Sequence, residues 1–536
     1  MRLLRLLCSS LVFAASVSAS NASQPHSGQL EAGQEILLPL AVKTGDYIEA
    51  SLDTPQARVN LDLLASDGHA VRRLLQASIG SGVFRFIAQP GQTLRLGGTV
   101  STTPYTLRIT RQVSVAEQKL PPEPLASPAL RELAADLTKG GSTDAFWARM
   151  AHEGTPLIEA AGNGQYRVTF LWRGAKHGVR LFGGPARDHD ELQRLGQSDV
   201  WFRSYTVPAN ARASYRLAPD VPVFAGNPRE RRVAILATAQ ADPLNPRRWP
   251  GDAPDRFTQQ SVLELPEAPL QAWITPTGAA SGSLQSWLQE SRILGNTHDI
   301  ALYRPAGFDP GNPANLLLFV FDGPEYQSRV PTPTILDNLV AAGRLPPTVA
   351  VFISNASAEA RSVELPDNPD FARFMAEELL PRVARETGMQ PRGERTTLAG
   401  SSHGGLASAS IALRYPQQFG NVIALSGSFW WAPLEADQTR HYIGQRVLTL
   451  PKAPLRFFVS AGLYETANGT SGGILESSRH LRDLLEARAY PVHFREYTGG
   501  HDYLVWRGAL ADGLLALFDL KPSQVTGLLS SPTSSR

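Results

Sequence analysis

The stretch Thr397-Leu-Ala-Gly-Ser-Ser-His-Gly-Gly-Leu406 limits what this chain can fold into more than any other. It carries Gly400-x-Ser402-x-Gly404, with an apolar run at residues 396–399 leading in and a helix-prone run at 406–415 leading out. A serine at a sharp strand-to-helix turn stands exposed at the top of a sheet, and the glycines let the backbone turn beneath it without clashing. The start of the following helix offers N–H groups to developing negative charge. The five letters alone also describe a Gly/Ser-rich loop that packs two elements closely. Strand before, helix after and the doubled Gly405 point instead to a nucleophile.

The surrounding pattern fits. From about residue 283, continuous apolar runs recur at 316–321, 349–353, 396–399, 422–425 and 455–459. Such runs read as strands buried on both faces of a parallel sheet. Helical stretches at 371–387 and 474–489 lie between them, which gives an α/β domain over residues 280–521. Upstream the pattern is different. Residues 24–115 alternate apolar and polar side chains in short runs and read as a small β-sandwich. This segment is similar to the pre-peptidase C-terminal type of domain, through Leu30-Glu-Ala-Gly-Gln-Glu-Ile and Gly45-Asp-Tyr-Ile-Glu-Ala. It holds no catalytic constellation, so a structural or surface-binding role is expected. Residues 116–144 form a linker, stiffened by Leu120-Pro-Pro-Glu-Pro-Leu125, with a short helix at 127–138. Residues 145–272 form a second β-rich unit with strands around Tyr166-Arg-Val-Thr-Phe-Leu-Trp172 and Ser198-Asp-Val-Trp-Phe-Arg-Ser-Tyr205, for which an immunoglobulin-like sandwich is expected. The polar tail at 522–536 is expected to be disordered. The predicted fold class is therefore α/β: a C-terminal α/β-hydrolase domain preceded by two β-sandwich domains.

Composition excludes several chemistries. Arg2 and Arg5 precede an apolar segment at 6–17 and then small residues, so residues 1–22 read as a secretory signal peptide, and the periplasm is the expected location. The one cysteine, Cys8, lies inside that segment. A mature chain without thiols has no disulfide, thiolate metal site or cysteine nucleophile. A net charge of +2 gives no polyanion-binding signature, so no nucleic-acid partner is expected. No later apolar run approaches a membrane span, and no metal or organic cofactor is implied for catalysis.

A serine hydroxyl needs a base, and the base needs an orienting partner. The histidines beyond Ser402 are His403, His441, His480, His493 and His501. His403 adjoins the nucleophile, His441 sits in a polar connection, His480 on an amphipathic helix and His493 in a strand. Only His501, in Thr498-Gly-Gly-His-Asp502, follows a strand end, where catalytic residues of open α/β sheets gather. In the α/β-hydrolase order of serine, acid, histidine, the acid is Glu465, in the loop after the strand at 455–459. Asp502 is too close to the base along the chain to orient it. For the oxyanion, the N–H of His403 is one expected donor. Gly323 is the other, because Pro324 in Asp322-Gly-Pro-Glu325 has no N–H.

With these residues assembled, the segment from Trp147 to Leu520 resembles the bacterial enterochelin (ferric enterobactin) esterases. The matching pieces include Phe170-Leu-Trp-Arg, Ala241-Asp-Pro-Leu-Asn, Arg361-Ser-Val-Glu-Leu, Gly400-Ser-Ser-His-Gly-Gly-Leu, Ser426-Gly-Ser-Phe-Trp-Trp and Gly499-Gly-His-Asp-Tyr-Leu-Val-Trp-Arg507. The resemblance implies hydrolysis of the serine-ester bonds in a catecholate siderophore trilactone, releasing dihydroxybenzoyl-serine units and the iron, which enters bound to the substrate. It maps the family's serine, histidine and glutamate onto Ser402, His501 and Glu465. Where the family often has Phe after the serine, this chain has His403. A ferric tris-catecholate is a flat-faced trianion and calls for arginines and aromatics; Arg361, Trp430, Trp431 and Arg507 are the candidates. The alternative reading is an exported esterase for feruloyl or acyl esters of polysaccharide, which shares the elbow and the late histidine.

Overall fold

The computed structural model describes residues 25–118, 125–186, 189–225, 227, 230, 233–433, 441–467 and 472–520. The expected signal peptide, most of the Pro-rich linker and the polar tail lie outside the described residues. The chain divides into two compact units, residues 1–123 and 124–536.

The first unit is all antiparallel. A long hairpin, Tyr47–Leu64 with Ala70–Ile87, is paired along its length. The first half of Tyr47–Leu64 also pairs with Thr103–Val113 and its second half with Thr93–Gly97. A break in register between Thr54 and Val59 separates the halves, where an irregular strand can bend. The expected sandwich is thus one six-stranded hydrogen-bonded sheet around its own core, in which Leu30, Ile48, Leu61, Leu94 and Leu96 are fully buried.

The second unit begins with the helix Pro128–Thr138, capped by the Ser127 hydroxyl on Leu130 N–H. A second helix, Asp144–Glu153, falls where the sequence pattern put the start of a β-rich unit. Its Phe146, Trp147 and Met150 share one face and pack on Leu171, Val200 and Phe202 of a sheet behind it. That sheet holds Leu157–Gly162, Gln165–Arg173, Gln193–Arg194 and Val200–Pro208. A second four-stranded sheet holds Val179–Gly183, Arg212–Pro219, Arg248–Trp249 and Gln260–Glu264. Side chains of both, including Val168, Phe170, Leu181, Tyr215 and Leu263, close one core, as the sandwich reading requires.

The catalytic domain is an eight-stranded sheet. In spatial order its strands are Ser283–Glu290, Thr297–Arg304, Thr348–Ile353, Leu316–Phe321, Thr396–Ser401, Asn421–Leu425, Arg456–Gly462 and Val492–Tyr497. The first two pair antiparallel with their neighbours and the other six are parallel. Every residue of Leu316–Phe321 and Thr348–Ile353 is buried, because helices cover both faces of the sheet. One face packs against His403–Arg414 and Ile474–Ala487, the other against Thr332–Ala341 and Tyr503–Phe518. The helix expected across 371–387 is interrupted: Pro369–Arg373 and Leu380–Thr387 flank a π-helical turn at Phe374–Leu379. Pro381 explains it, since proline donates no hydrogen bond to the preceding turn and its ring pushes that turn outward. No helix among the described residues is long and apolar enough to cross a membrane.

Candidate active site

Ser402 sits between the strand Thr396–Ser401 and the helix His403–Arg414, with φ +58° and ψ −122°. A non-glycine residue holds such a conformation only where its surroundings enforce it, at a cost of roughly 1–3 kcal/mol. The neighbouring glycines show why the motif needs them. A Cβ on Gly400 would lie 2.7 Å from the Gly404 carbonyl carbon, and one on Gly405 would lie 3.0 Å from Gly427 Cα. A Cβ on Gly404 would lie 3.3 Å from Phe321 Cβ and 3.7 Å from Asp322 Oδ2. The start of the serine helix is therefore pressed against the end of the strand Leu316–Phe321, beside Gly323.

The candidate base and acid lie in contact. His501 Nδ1 lies 2.5 Å from Glu465 Oε1. Glu465 is almost fully buried, and its second oxygen accepts from the Ser426 hydroxyl at 2.7 Å and the Gly462 N–H at 2.5 Å. Ser426 in turn accepts from Trp506 Nε1 at 3.0 Å, and the Trp506 ring meets the His501 imidazole edge-on at 4.8 Å. Two sides of the acid–base pair are thus fixed by groups the sequence reading did not single out. Ser402 Oγ lies 3.4 Å from Ser428 Oγ, and Ser428 N–H donates to Ser402 O at 3.0 Å. With Nδ1 held by a carboxylate, Nε2 is the nitrogen left to take a proton.

His403 and Gly323 open their helices, so neither N–H has a partner inside its own helix. Asp322, at φ +55°, makes the turn before Gly323. Its carboxylate accepts two hydrogen bonds from Arg361, at 2.6 and 2.8 Å, and one from Asn355 at 2.7 Å. The Asp322 bond holds the Arg361 guanidinium even more firmly protonated than usual. The Nε and Nη2 groups of Arg361 are thereby bonded to the loop that carries Gly323. The His403 imidazole is half-buried, with Nδ1 enclosed and unbonded among the described residues. Burial first, then the Arg361 and His501 charges, hold it below its ordinary value of 6.5.

The small sandwich formed by the two four-stranded sheets of the second unit meets the catalytic domain over the histidine loop. Arg212 N–H donates to Thr498 O at 2.9 Å, and Ser214 N–H donates to Asp502 Oδ2 at 2.5 Å. Asp502 also caps the helix Tyr503–Phe518 through Leu504 N–H at 2.9 Å. Its carboxylate is thus occupied by two backbone donors, one from the sandwich and one from the helix that follows His501. Beside this junction lies a cleft of about 660 Å³, bordered by His501, Glu465, Trp430 and Tyr464 from one side and Phe182 and Arg216 from the other. Trp430 is on its wall. Trp431 instead packs against the catalytic core, edge-on to Tyr442 at 6.0 Å. Arg507 donates to Gln271 at 2.7 Å, and burial lowers its pKa. The structure thus brings Ser402, His501, Glu465, His403, Gly323 and Trp430 to one end of the sheet and turns Arg361, Trp431 and Arg507 to other partners.

Comparison with known proteins agrees with this geometry. Residues 167–274 match the family described as enterochelin esterase, N-terminal, and residues 291–517 the family described as putative esterase. The chain is 34% identical to an iron(III) enterobactin esterase of Dickeya dadantii over 414 residues, covering 69% of this chain and 92% of that one. It is 30% identical to the iron(III) enterobactin esterase of Escherichia coli K12 over 388 residues, covering 68% and 94%. The crystal structure of the Shigella flexneri enterobactin esterase in the presence of enterobactin superposes with a TM-score of 0.57 at 29% identity, covering 70% of this chain and 97% of that one. The Salmonella typhimurium ferric enterobactin esterase gives 0.56 at 30% identity, covering 70% and 98%. On the serine elbow, the histidine–glutamate pair and these relationships together, the chain belongs to the iron(III) enterobactin esterase family.

Proposed function

We propose that the chain is a serine carboxylic-ester hydrolase that opens the trilactone of a ferric catecholate siderophore, with Ser402, His501 and Glu465 as its catalytic set. Ser402 Oγ attacks an ester carbonyl and its proton passes to His501 Nε2, while Glu465 stabilises the imidazolium through Nδ1–H. The carbonyl oxygen becomes an oxyanion facing the N–H groups of His403 and Gly323. Collapse breaks the ester bond, and the leaving serine hydroxyl takes the proton from His501. Water, deprotonated by the same imidazole, then hydrolyses the acyl-enzyme and restores Ser402. Iron enters as the substrate's cargo. The observation that carries this reading is the 2.5 Å contact between His501 and a buried glutamate held by two further donors, at the sheet end that carries the strained serine.

The test is chromatography of products from ferric enterobactin. Wild type is expected to yield linear trimer, dimer and monomer, and Ser402→Ala none. Glu465→Gln should retain the fold and lose about 10³- to 10⁴-fold in kcat, the loss expected when the group orienting a catalytic histidine is neutralised. Intact trilactone with the wild type, beside rapid cleavage of a simple aryl ester, would sink the reading.

A further inference from the structure

The cleft beside His501 contains two arginines that no carboxylate among the described residues pairs with. Arg216 is on the strand Arg212–Pro219 of the small sandwich, and Arg329 ends the short helix Gly323–Ser328 of the catalytic domain. Neither forms an ion pair among the described residues. Arg216 lies over the Phe182 ring at 4.6 Å and gives one N–H to Phe257 O at 3.0 Å, while its Nε is enclosed and unbonded. Arg329 lies 5.8 Å from the Tyr503 ring centroid and 6.0 Å from that of Trp249. The two carboxylates on the cleft wall among the described residues are occupied: Glu465 by His501, Ser426 and Gly462, and Asp502 by two backbone N–H groups. Burial, and then the charge of Arg329, lower the pKa of Arg216, so the two like charges are held near one another at an electrostatic cost. A half-buried cation without a counter-ion destabilises a fold unless a ligand supplies the missing charge.

The chemistry of that ligand follows from the lining. A guanidinium fork matches paired oxyanions, and its flat face stacks on rings. Phe182, Tyr503 and Trp430 supply ring faces around the two forks. The Tyr464 hydroxyl, unbonded among the described residues and pushed up to about 12 by burial, stays a neutral donor beside them. Such a site suits a planar aromatic group bearing adjacent oxyanions.

We propose that Arg216 and Arg329 form an anion subsite that holds the deprotonated catecholate face of the substrate and makes the enzyme prefer the iron-loaded trilactone to the metal-free one. This rests on the siderophore-esterase reading above. In the ferric complex the catechols are deprotonated and the chelate is a trianion, whereas the metal-free trilactone presents neutral catechols at neutral pH. One arginine from each side of the cleft then makes the preference depend on both halves of the second unit.

The experiment compares kcat/KM for ferric and metal-free enterobactin in wild type, Arg216→Met, Arg329→Met and the double variant. Methionine keeps an apolar stem against the neighbouring rings. Arg482→Met, which removes another ring-stacked arginine (4.8 Å from the Phe494 centroid), is the control. The ferric-to-free ratio is expected to fall about 10- to 100-fold in each single variant, the worth of a hydrogen bond to a charged group, and to stay at the wild-type value in the control. The fall should sit mainly in KM, and added salt should lower the wild-type ratio towards that of the double variant. Equal losses on both substrates, or a wild type without preference, would overturn the subsite while leaving the esterase reading intact. A wild type that cleaves neither trilactone would overturn both.

Discussion

At the scale of single residues, His403 offers a separable test of what the elbow requires. Its backbone N–H is the proposed oxyanion donor, and any residue supplies that group. Its imidazole is another matter, with Nδ1 enclosed and unbonded and the ring held below its ordinary value of 6.5. An unfolded chain takes up this proton at 6.5, and the folded chain only at lower pH. The unfolded state therefore binds more protons in the window below 6.5, and stability falls as pH drops through it. His403→Phe removes both the unbonded nitrogen and this slope. The variant is expected to keep kcat within a few-fold and to gain about 1–3 kcal/mol, the cost of a buried unpaired polar group. Urea unfolding at pH 7.5 and 5.5 would show it; an unchanged acid-side slope in the variant would contradict the assignment.

At the scale of elements, the loop between the strand Leu316–Phe321 and the helix Gly323–Ser328 is the device to probe. Asp322 holds a left-handed turn and is gripped by Arg361 and Asn355. Arg361→Met should therefore lower kcat about tenfold, less than the roughly 10²- to 10³-fold lost when an oxyanion donor is removed outright, with KM changed by less than about twofold. A rise in KM with kcat intact would return Arg361 to the role of substrate ligand that the family resemblance gave it. The contrast shows what was legible in the sequence. Strands buried on both faces announce themselves as apolar runs, and Ser402 and Glu465 follow two of them, while His501 follows the alternating strand Val492–Tyr497. The π-helical turn at Phe374–Leu379 hid in a helical pattern because Pro381 changes the hydrogen bonding and leaves the apolar periodicity intact. Ser426 and Ser428 stood in a recognised motif, but a hydroxyl's partner is set by the tertiary fold. Trp430 and Trp431 drew notice there only because bulk is visible in one dimension.

At the scale of the whole molecule, the first unit has its own core and the family matches are confined to residues 167–517. Deleting residues 25–118 is therefore expected to leave kcat/KM on ferric enterobactin within about twofold, because large-scale core stability is a property of each domain by itself. A collapse of activity in the truncated chain would assign the first unit a part in catalysis. Arg216 and Phe182 escaped sequence analysis because their segment is a hundred residues and more from the serine, and only the docking of the small sandwich brings them to the histidine. That docking has a mechanical consequence. The sandwich is tied to both flanks of the histidine loop by the main-chain N–H groups of Arg212 and Ser214, and the same strand is locked into its own sheet. Swinging the sandwich away would strip Asp502 of a donor and shift the base itself. Opening the mouth is therefore expected to cost both main-chain bonds, and a guest that fits the gap they hold enters without that cost.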